Sequence, residues 1–255
     1  MQGAASPPPK DLNTGRYRTP MADGRGAGDR RVSVAHVPPA ILFDMNGVLV
    51  DDEDLHFQAA RRVVEGMGLS MSGEEYGAFF FGRTDREGFG DFFARRTPSV
   101  RQDVAGVVAE KSRAYSRLAA SGLRACEGAA ELVRSLDRAG FPLGLVTGAI
   151  RAEAEAVLAL LEIGDLFRGV VTAEDVSAGK PSPEPYLRGA SRLGREPREC
   201  VVIEDSPSGV RSARAAGMAC IAVTSTYGAR DLAEADLVVA RLTELTVETI
   251  KVMAA

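Results

Sequence analysis

Ile41-Leu42-Phe43-Asp44-Met45-Asn46-Gly47-Val48 is the stretch that decides the fold. Its apolar half has no polar alternation, so it reads as a short strand buried on both faces. The strand ends on a carboxylate, and Gly47 then frees the backbone to turn. Further short runs rich in Val, Ile and Leu follow at residues 141–147, 169–172, 200–204, 218–223 and 236–239. Helical patterns lie between them. Residues 127–139 put Ala130, Leu132, Val133 and Leu136 on one face, and residues 151–161 do the same with Ala154, Val157, Leu158 and Leu161. Residues 183–193 and 207–216 open with proline, which costs little in a first helical turn. Strands alternating with helices predict an α/β fold with a parallel sheet and right-handed crossovers.

One stretch breaks the alternation. Residues 55–124 hold no strand-like run, only helical segments broken by Gly66, Gly68, Gly73, Gly82 and Pro98. That is too long for a crossover, so an all-helical cap is expected at residues 55–122, inserted over the carboxyl edge of the sheet. The core then comprises residues 38–54 and 123–255, with hinges at residues 50–54 and 122–127. Residues 1–37, with Pro7-Pro8-Pro9 and Gly24-Arg25-Gly26 and no apolar period, read as a disordered leader. His36 there is expected to play no part.

The chain has 255 residues, 45% apolar and 26% charged, which is ordinary for a globular enzyme with a full core. A net charge of −4 provides no basic field for nucleic acid or an anionic membrane. No apolar run reaches the roughly 18 residues of a membrane span, and no secretory signal opens the chain. Three widely spaced cysteines, Cys126, Cys200 and Cys220, form no CxxC, and a reducing cytoplasm is the simpler reading.

The chemistry gathers where strands end. Asp44 closes the first strand, Thr147-Gly148 another, and Glu204-Asp205 a third, while Lys180 lies in the loop Ala178-Gly179-Lys180-Pro181. Ligands of an open parallel sheet bind outside these carboxyl ends, so the four features converge on one crevice. Asp44, Glu204 and Asp205 supply hard oxygen ligands for Mg2+. Without a cation, three clustered carboxylates would repel one another and take raised pKa values. Lys180 balances charge on a phosphoryl group, and Thr147 donates to one of its oxygens. Gly47 and Gly148 let backbone N–H groups approach closely. A carboxylate nucleophile at Asp44 would split phosphate-ester hydrolysis into two steps.

Phe43-Asp44-Met45-Asn46-Gly47-Val48-Leu49-Val50-Asp51, Val146-Thr147-Gly148, Gly179-Lys180-Pro181-Ser182-Pro183 and Val202-Ile203-Glu204-Asp205-Ser206-Pro207-Ser208-Gly209 occur in order across about residues 40–239. Together they resemble the haloacid dehalogenase (HAD) superfamily, in its helical-cap subgroup and its β-phosphoglucomutase and sugar-phosphate phosphatase branch. The resemblance implies a Rossmann-like core and a Mg2+-dependent phosphatase acting on a small phosphorylated metabolite, such as a sugar phosphate. It implies that Asp44 is nucleophile and metal ligand, that Thr147 and Lys180 hold the phosphate, and that Asp205 binds the metal. Glu204 would bind it directly or through water, and Asn46 through its backbone carbonyl. A monomer or weak homodimer is expected.

The family's phosphatases and phosphomutases carry an aspartate two residues after the nucleophile, which protonates the leaving oxygen and later activates water. Here that position is Asn46, whose amide offers no titratable proton near neutral pH. Losing a general acid–base costs about 10²–10⁴-fold in rate, or roughly 3–5 kcal/mol of barrier. Four accounts remain open. The substrate has a good leaving group; His56, Asp51 or the substrate supplies the proton; the protein binds phosphometabolites with little turnover; or Asn46-Gly47 deamidates to an active aspartate. Phosphomutase activity, which needs proton transfer in both half-reactions, suffers most. The dehalogenase and phosphonate hydrolase patterns do not match.

In the cap, Phe81-Gly82-Arg83-Thr84-Asp85-Arg86-Glu87 resembles the branch's substrate-contacting loop. Arg83 or Arg86 would suit a second phosphate or a carboxylate. Thr84 with Glu87 three residues on also fits a capping box, and the two roles can coexist. His56 reads either as a substrate or proton-transfer group or as a polar hinge residue. The acidic run Asp51-Asp52-Glu53-Asp54 reads as a helix start, with only Asp51 at a family position. Phe79, Phe80, Phe81, Phe89, Phe92 and Phe93 are expected to form the cap's apolar core. No GxGxxG follows a strand, so no dinucleotide site is expected.

Overall fold

A computed structural model describes residues 38–81, 83–98 and 102–253. The expected leader at residues 1–37, including His36, lies outside the described residues, as does Gly82. In chain order the elements are β1 (Ala40–Phe43), β2 (Val50–Asp51), α1 (Glu53–Gly66), α2 (Gly73–Phe80), α3 (Asp85–Arg96), α4 (Val104–Gly122), β3 (Arg124–Ala125), α5 (Ala129–Arg138), β4 (Leu143–Val146), α6 (Arg151–Leu160), β5 (Phe167–Val171), α7 (Glu184–Arg192), β6 (Cys200–Glu204), α8 (Pro207–Ala215), β7 (Ala219–Val223), β8 (Leu237–Val239) and α9 (Val247–Met253).

Six strands form one sheet in the order β5-β4-β1-β6-β7-β8, and every pairing is parallel. The strand carrying Asp44 is thus central, flanked by those carrying Thr147 and Glu204. Burial on both faces accounts for the continuous apolar runs: all residues of β1, β4 and β6 are buried. Ile41, Phe43, Leu143, Leu145, Val201 and Ile203 pack into one core layer against α5 and α6. Leu42, Val146, Val202 and Cys220 pack into the other, against α7 and α8. Cys200 and Cys220 are buried free thiols.

Helices α1 to α4 form the all-helical cap, with its own cluster that includes Val64, Tyr76, Phe80, Phe89, Phe92, Phe93 and Tyr115. Burying each of its phenylalanines stabilises the cap by about 1.5–3 kcal/mol. Phe81 departs from the expectation. It is 40% exposed and meets Tyr227 of the core edge to face, at 6.0 Å between ring centroids. The sequence also gave no sign of β2 and β3, which pair antiparallel (Val50 with Ala125, Asp51 with Arg124) where the chain enters and leaves the cap. Strands of two residues leave no period to read. None of the described helices is long and apolar enough to cross a membrane.

Candidate active site

Asp44 follows β1 directly, and its backbone N–H donates to the Ile203 carbonyl at 2.9 Å. The neighbouring strand's last residue, Glu204, thereby stands beside it. Lys180 reaches between them from the loop before α7. Its Nζ donates to Asp44 Oδ1 at 2.6 Å, to Glu204 Oε1 at 2.7 Å and to the Val146 carbonyl at 3.2 Å. The ammonium also lies 4.8 Å from the centre of the Tyr186 ring. Burial alone would lower the lysine's pKa, but Asp44 and Glu204 raise it, so Lys180 stays charged.

Glu204 is fully enclosed. The Tyr186 hydroxyl donates to Oε1 at 2.8 Å, and Oε2 accepts from the backbone N–H groups of Asp205 and Ser206 and from the Ser206 hydroxyl. These donors and Lys180 outweigh burial and hold the carboxyl below its usual range. A Cβ at position 209 would lie 1.7 Å from Glu204 Oε1, so only glycine there lets α8 start against this carboxylate. Both oxygens of Glu204 are thus held by the protein. Tyr186 and Ser206 escaped sequence reasoning. Tyr186 reads as one more core position on a helix, and nothing in its spacing reveals which acceptor its hydroxyl meets.

Asp44 and Asp205 are the carboxylates left short of positive charge. Burial pushes the Asp44 carboxyl up to about 7, with Lys180 opposing and Glu204 adding to the rise. Asp205 is likewise raised well above its usual range by burial and by the charges of Glu204 and Asp44, with Thr226 donating in compensation. Gly47 has φ +73°, and a Cβ there would fall 1.9 Å from Asp205 Oδ2. The backbone thus passes directly over that oxygen, while Ser225 Oγ donates to the Gly47 carbonyl. Asp44, Glu204 and Asp205 each offer an oxygen, all within 4.8 Å of one another. Three buried carboxylates with one lysine fit a hard divalent cation such as Mg2+, in donor type and in charge.

Thr147 is buried at the end of β4, next to the carbonyl that Lys180 holds. Its Oγ1 accepts from the Ala149 N–H at 3.0 Å, leaving the hydroxyl proton available for an oxyanion. Gly148 is exposed, with open space where a side chain would stand.

Asn46 sits in a polar network that joins core and cap. Its Nδ2 donates to Asp52 Oδ2 at 2.7 Å and lies 3.2 Å from His56 Nε2. Tyr115 of α4 donates its hydroxyl to the same Asp52 oxygen and stacks on the His56 ring at 4.1 Å. Lys111 Nζ meets His56 Nδ1 and pairs with Asp85 at 3.0 Å. His56 Nε2 also lies 3.4 Å from Asp52 Oδ2. Burial alone would raise Asp52, but His56, Tyr115 and Asn46 hold it below the usual range. Its Oδ1 is buried without a partner. The acidic run does open α1, with Glu53 and Asp54 in its first turn, but its first two aspartates part ways. Asp51 is exposed and pairs with Arg124, while Asp52, although it stands at the N-cap of α1, makes no capping bond and turns inward instead. His56 faces this network.

The cap loop is brought less close to the chemistry. Thr84 makes the capping box with Glu87: the Glu87 N–H donates to Thr84 Oγ1, and Thr84's N–H and hydroxyl donate to Glu87 Oε2. Arg83 pairs with Asp91 of α3 at 2.7 Å, with both side chains partly exposed, and Arg86 is exposed in the first turn of the same helix.

The haloacid dehalogenase-like hydrolase profile matches residues 41–223, spanning β1 through β7 and every residue of the buried site. The chain belongs to the haloacid dehalogenase-like hydrolase family. Validoxylamine A 7'-phosphate phosphatase of Streptomyces hygroscopicus subsp. limoneus is 34% identical over 80% of this chain and 94% of that protein. Hexitol phosphatase A of Escherichia coli K12 is 37% identical over 81% of this chain and 92% of that protein. A mutant CbbY of Rhodobacter sphaeroides, solved in complex with xylulose-(1,5)-bisphosphate, superposes with a TM-score of 0.76 at 27% identity, over 84% of this chain and 99% of that one. The HAD core and helical cap seen here are therefore those of the family.

Proposed function

We propose that the protein is a Mg2+-dependent phosphatase of small sugar-type phosphates that works through an aspartyl-phosphate on Asp44. The observation that carries the reading is the buried Asp44–Lys180–Glu204 bridge beside Asp205, at the carboxyl edge of the sheet. The relatives named as phosphatases of validoxylamine A 7'-phosphate and of hexitol phosphates support the reaction and the kind of substrate.

Asp44 and Asp205, with the backbone carbonyl of Asn46 and with Glu204 behind them, would hold Mg2+. The ion supplies charge to draw density from the phosphoryl oxygens. Lys180 holds Asp44 by one oxygen and carries a positive charge to the same place. The Thr147 hydroxyl proton is available to a second phosphoryl oxygen. Asp44 attacks phosphorus, a bond to its carboxylate oxygen forms, and the bond from phosphorus to the leaving oxygen breaks. Water then cleaves the acyl phosphate, returning carboxylate and releasing inorganic phosphate. The cap excludes bulk water while this happens. The protein acts on a free metabolite in the cytoplasm, as a monomer or weak homodimer, without nucleic acid or membrane.

Asn46 favours a second reading, a phosphometabolite-binding protein with little turnover. Its amide is committed to Asp52 and brings no proton to the leaving oxygen. A substrate with a good leaving group does not need that proton. Acetyl phosphate, an acyl phosphate, therefore separates the readings: turnover that Asp44→Asn abolishes supports the enzyme, and no turnover supports the binder. Mass spectrometry of the peptide bearing Asn46 decides the deamidation account, since only asparagine in active protein removes it.

A further inference from the structure

Phe81, the ring that leaves the cap's core, faces a turn of the core whose neighbouring residues hold the buried site. It directly follows α2 and meets two tyrosines edge to face, Tyr76 at 5.8 Å and Tyr227 at 6.0 Å between ring centroids. Tyr76 in turn donates its hydroxyl to Glu53 Oε1, at the start of α1, at 2.7 Å. Tyr227 lies in the turn that follows β7, and the two residues before it both touch the site. Ser225 Oγ donates to the Gly47 carbonyl, which braces the loop carrying Asp44 and Asn46. Thr226 donates its hydroxyl to the Asp205 carboxylate. The Tyr227 hydroxyl itself is pushed up to about 12 by burial, by Glu53 at the cap's entrance and by Asp205. A cavity of about 280 Å3 borders Gly47, Ser225 and Thr226, so packing does not clamp this turn on every side. Elsewhere along the junction, Ser112 of α4 donates to Glu153 Oε1 at 2.9 Å, a contact that ends on a helix of the core.

We propose that Phe81 and Tyr227 are positioning residues for the metal site, a latch through which closure of the cap sets the ligands that Ser225 and Thr226 brace. Resting on the Mg2+ site proposed above, the latch adds to it a coupling between that site and the cap. With the rings in contact, Tyr227 is held, and the backbone keeps its neighbours in register with Asp205 and Gly47. Opening of the cap withdraws Phe81, and the turn is free to relax into the cavity beside it. Asp205, after β6, and the loop after β1 then lose the brace they share. Coupling between two sites is reciprocal, so a cation bound at the carboxylates favours the closed cap by the same factor that closure favours the cation.

The test is calorimetric binding of Mg2+ alone to the full chain, with no substrate. Phe81→Ala, a change in the cap at a partly exposed ring, should weaken Mg2+ binding about fivefold, whereas Phe81→Tyr, which keeps the ring, should leave it unchanged. Tyr227→Ala should weaken it to the same extent, and the double variant no further, because one contact is lost only once. Mg2+ should also slow backbone hydrogen exchange in α2 of the original protein, and that protection should vanish in Phe81→Ala. A Phe81→Ala affinity within about twofold of the original overturns the latch, as do losses that multiply in the double variant. Should Tyr227→Ala fail to fold, the two Phe81 variants and the exchange measurement decide the matter. An original protein that binds no Mg2+ removes the metal site itself, whereas normal binding that ignores Phe81 removes the latch alone.

Discussion

Replacing Asn46 by aspartate, the residue the family uses for proton transfer, should damage this protein before it helps it. Asn46 Nδ2 lies 2.7 Å from Asp52 Oδ2, so Asn46→Asp sets carboxylate against carboxylate at that distance. At an effective dielectric of about 20, two unit charges so placed repel by about 6 kcal/mol. The pair escapes part of this by sharing a proton, which at pH 7.5 limits the cost to about 3–5 kcal/mol. For a chain of this size that corresponds to a fall of roughly 10 °C in Tm. The sign with pH follows. A carboxyl whose folded pKa is raised keeps its stabilising proton below the unfolded value near 4 and loses it as pH rises. The penalty should therefore be small near pH 4.5 and full near pH 7.5. Asn46→Asp with Asp52→Asn restores the charge count and should recover most of the lost Tm, with faster phosphate release than Asn46→Asp alone. Calorimetric melting of the original, the single and the double variant at both pH values is the assay. An Asn46→Asp protein as stable as the original at pH 7.5, with no gain from Asp52→Asn, refutes the reasoning.

Two further outcomes follow from the same carboxylates. Lys180→Met removes the one cation shared by Asp44 and Glu204, and leaving buried charge unpaired should cost about 3–5 kcal/mol of stability and all turnover, measured by denaturant melting and phosphate release. Without metal, Asp44, raised to about 7, holds a proton that the unfolded chain gives up near pH 4, so its contribution to stability is lost as pH rises through about 7. Mg2+ should restore it, adding about 2.7 kcal/mol of stability at 100 times its Kd and raising Tm more at pH 8 than at pH 6, and chelation should reverse the gain.

The sheet was legible because burial on both faces of β1, β4 and β6 forces continuous apolar runs, and because each run ends on a polar residue that the sheet's carboxyl edge then collects. Asp44, Thr147, Glu204 and Asp205 follow from that rule, and Lys180 from the loop that leads from β5 to α7. What escaped was set by tertiary placement. Asp51 and Asp52 are adjacent acids, and only the pairing of β2 with β3, which leaves Asp51 facing solvent, decides which one turns inward. Arg83 looked free because its partner Asp91 lies eight residues on, and which way that helix presents it is not written in the spacing. Glu153 sits in a helical pattern that marks its neighbours Ala154 and Val157 as core. Nothing there signals that α4 of the cap brings Ser112 against it.

The central claim is that Asp44 takes the phosphoryl group, and acid-quenched mass spectrometry tests it most directly. Protein mixed with Mg2+ and acetyl phosphate, quenched early in the reaction, should carry a phosphoryl adduct on the peptide containing Asp44, absent from Asp44→Asn. Sustained phosphate release by Asp44→Asn, or an adduct mapped to another residue, would contradict it.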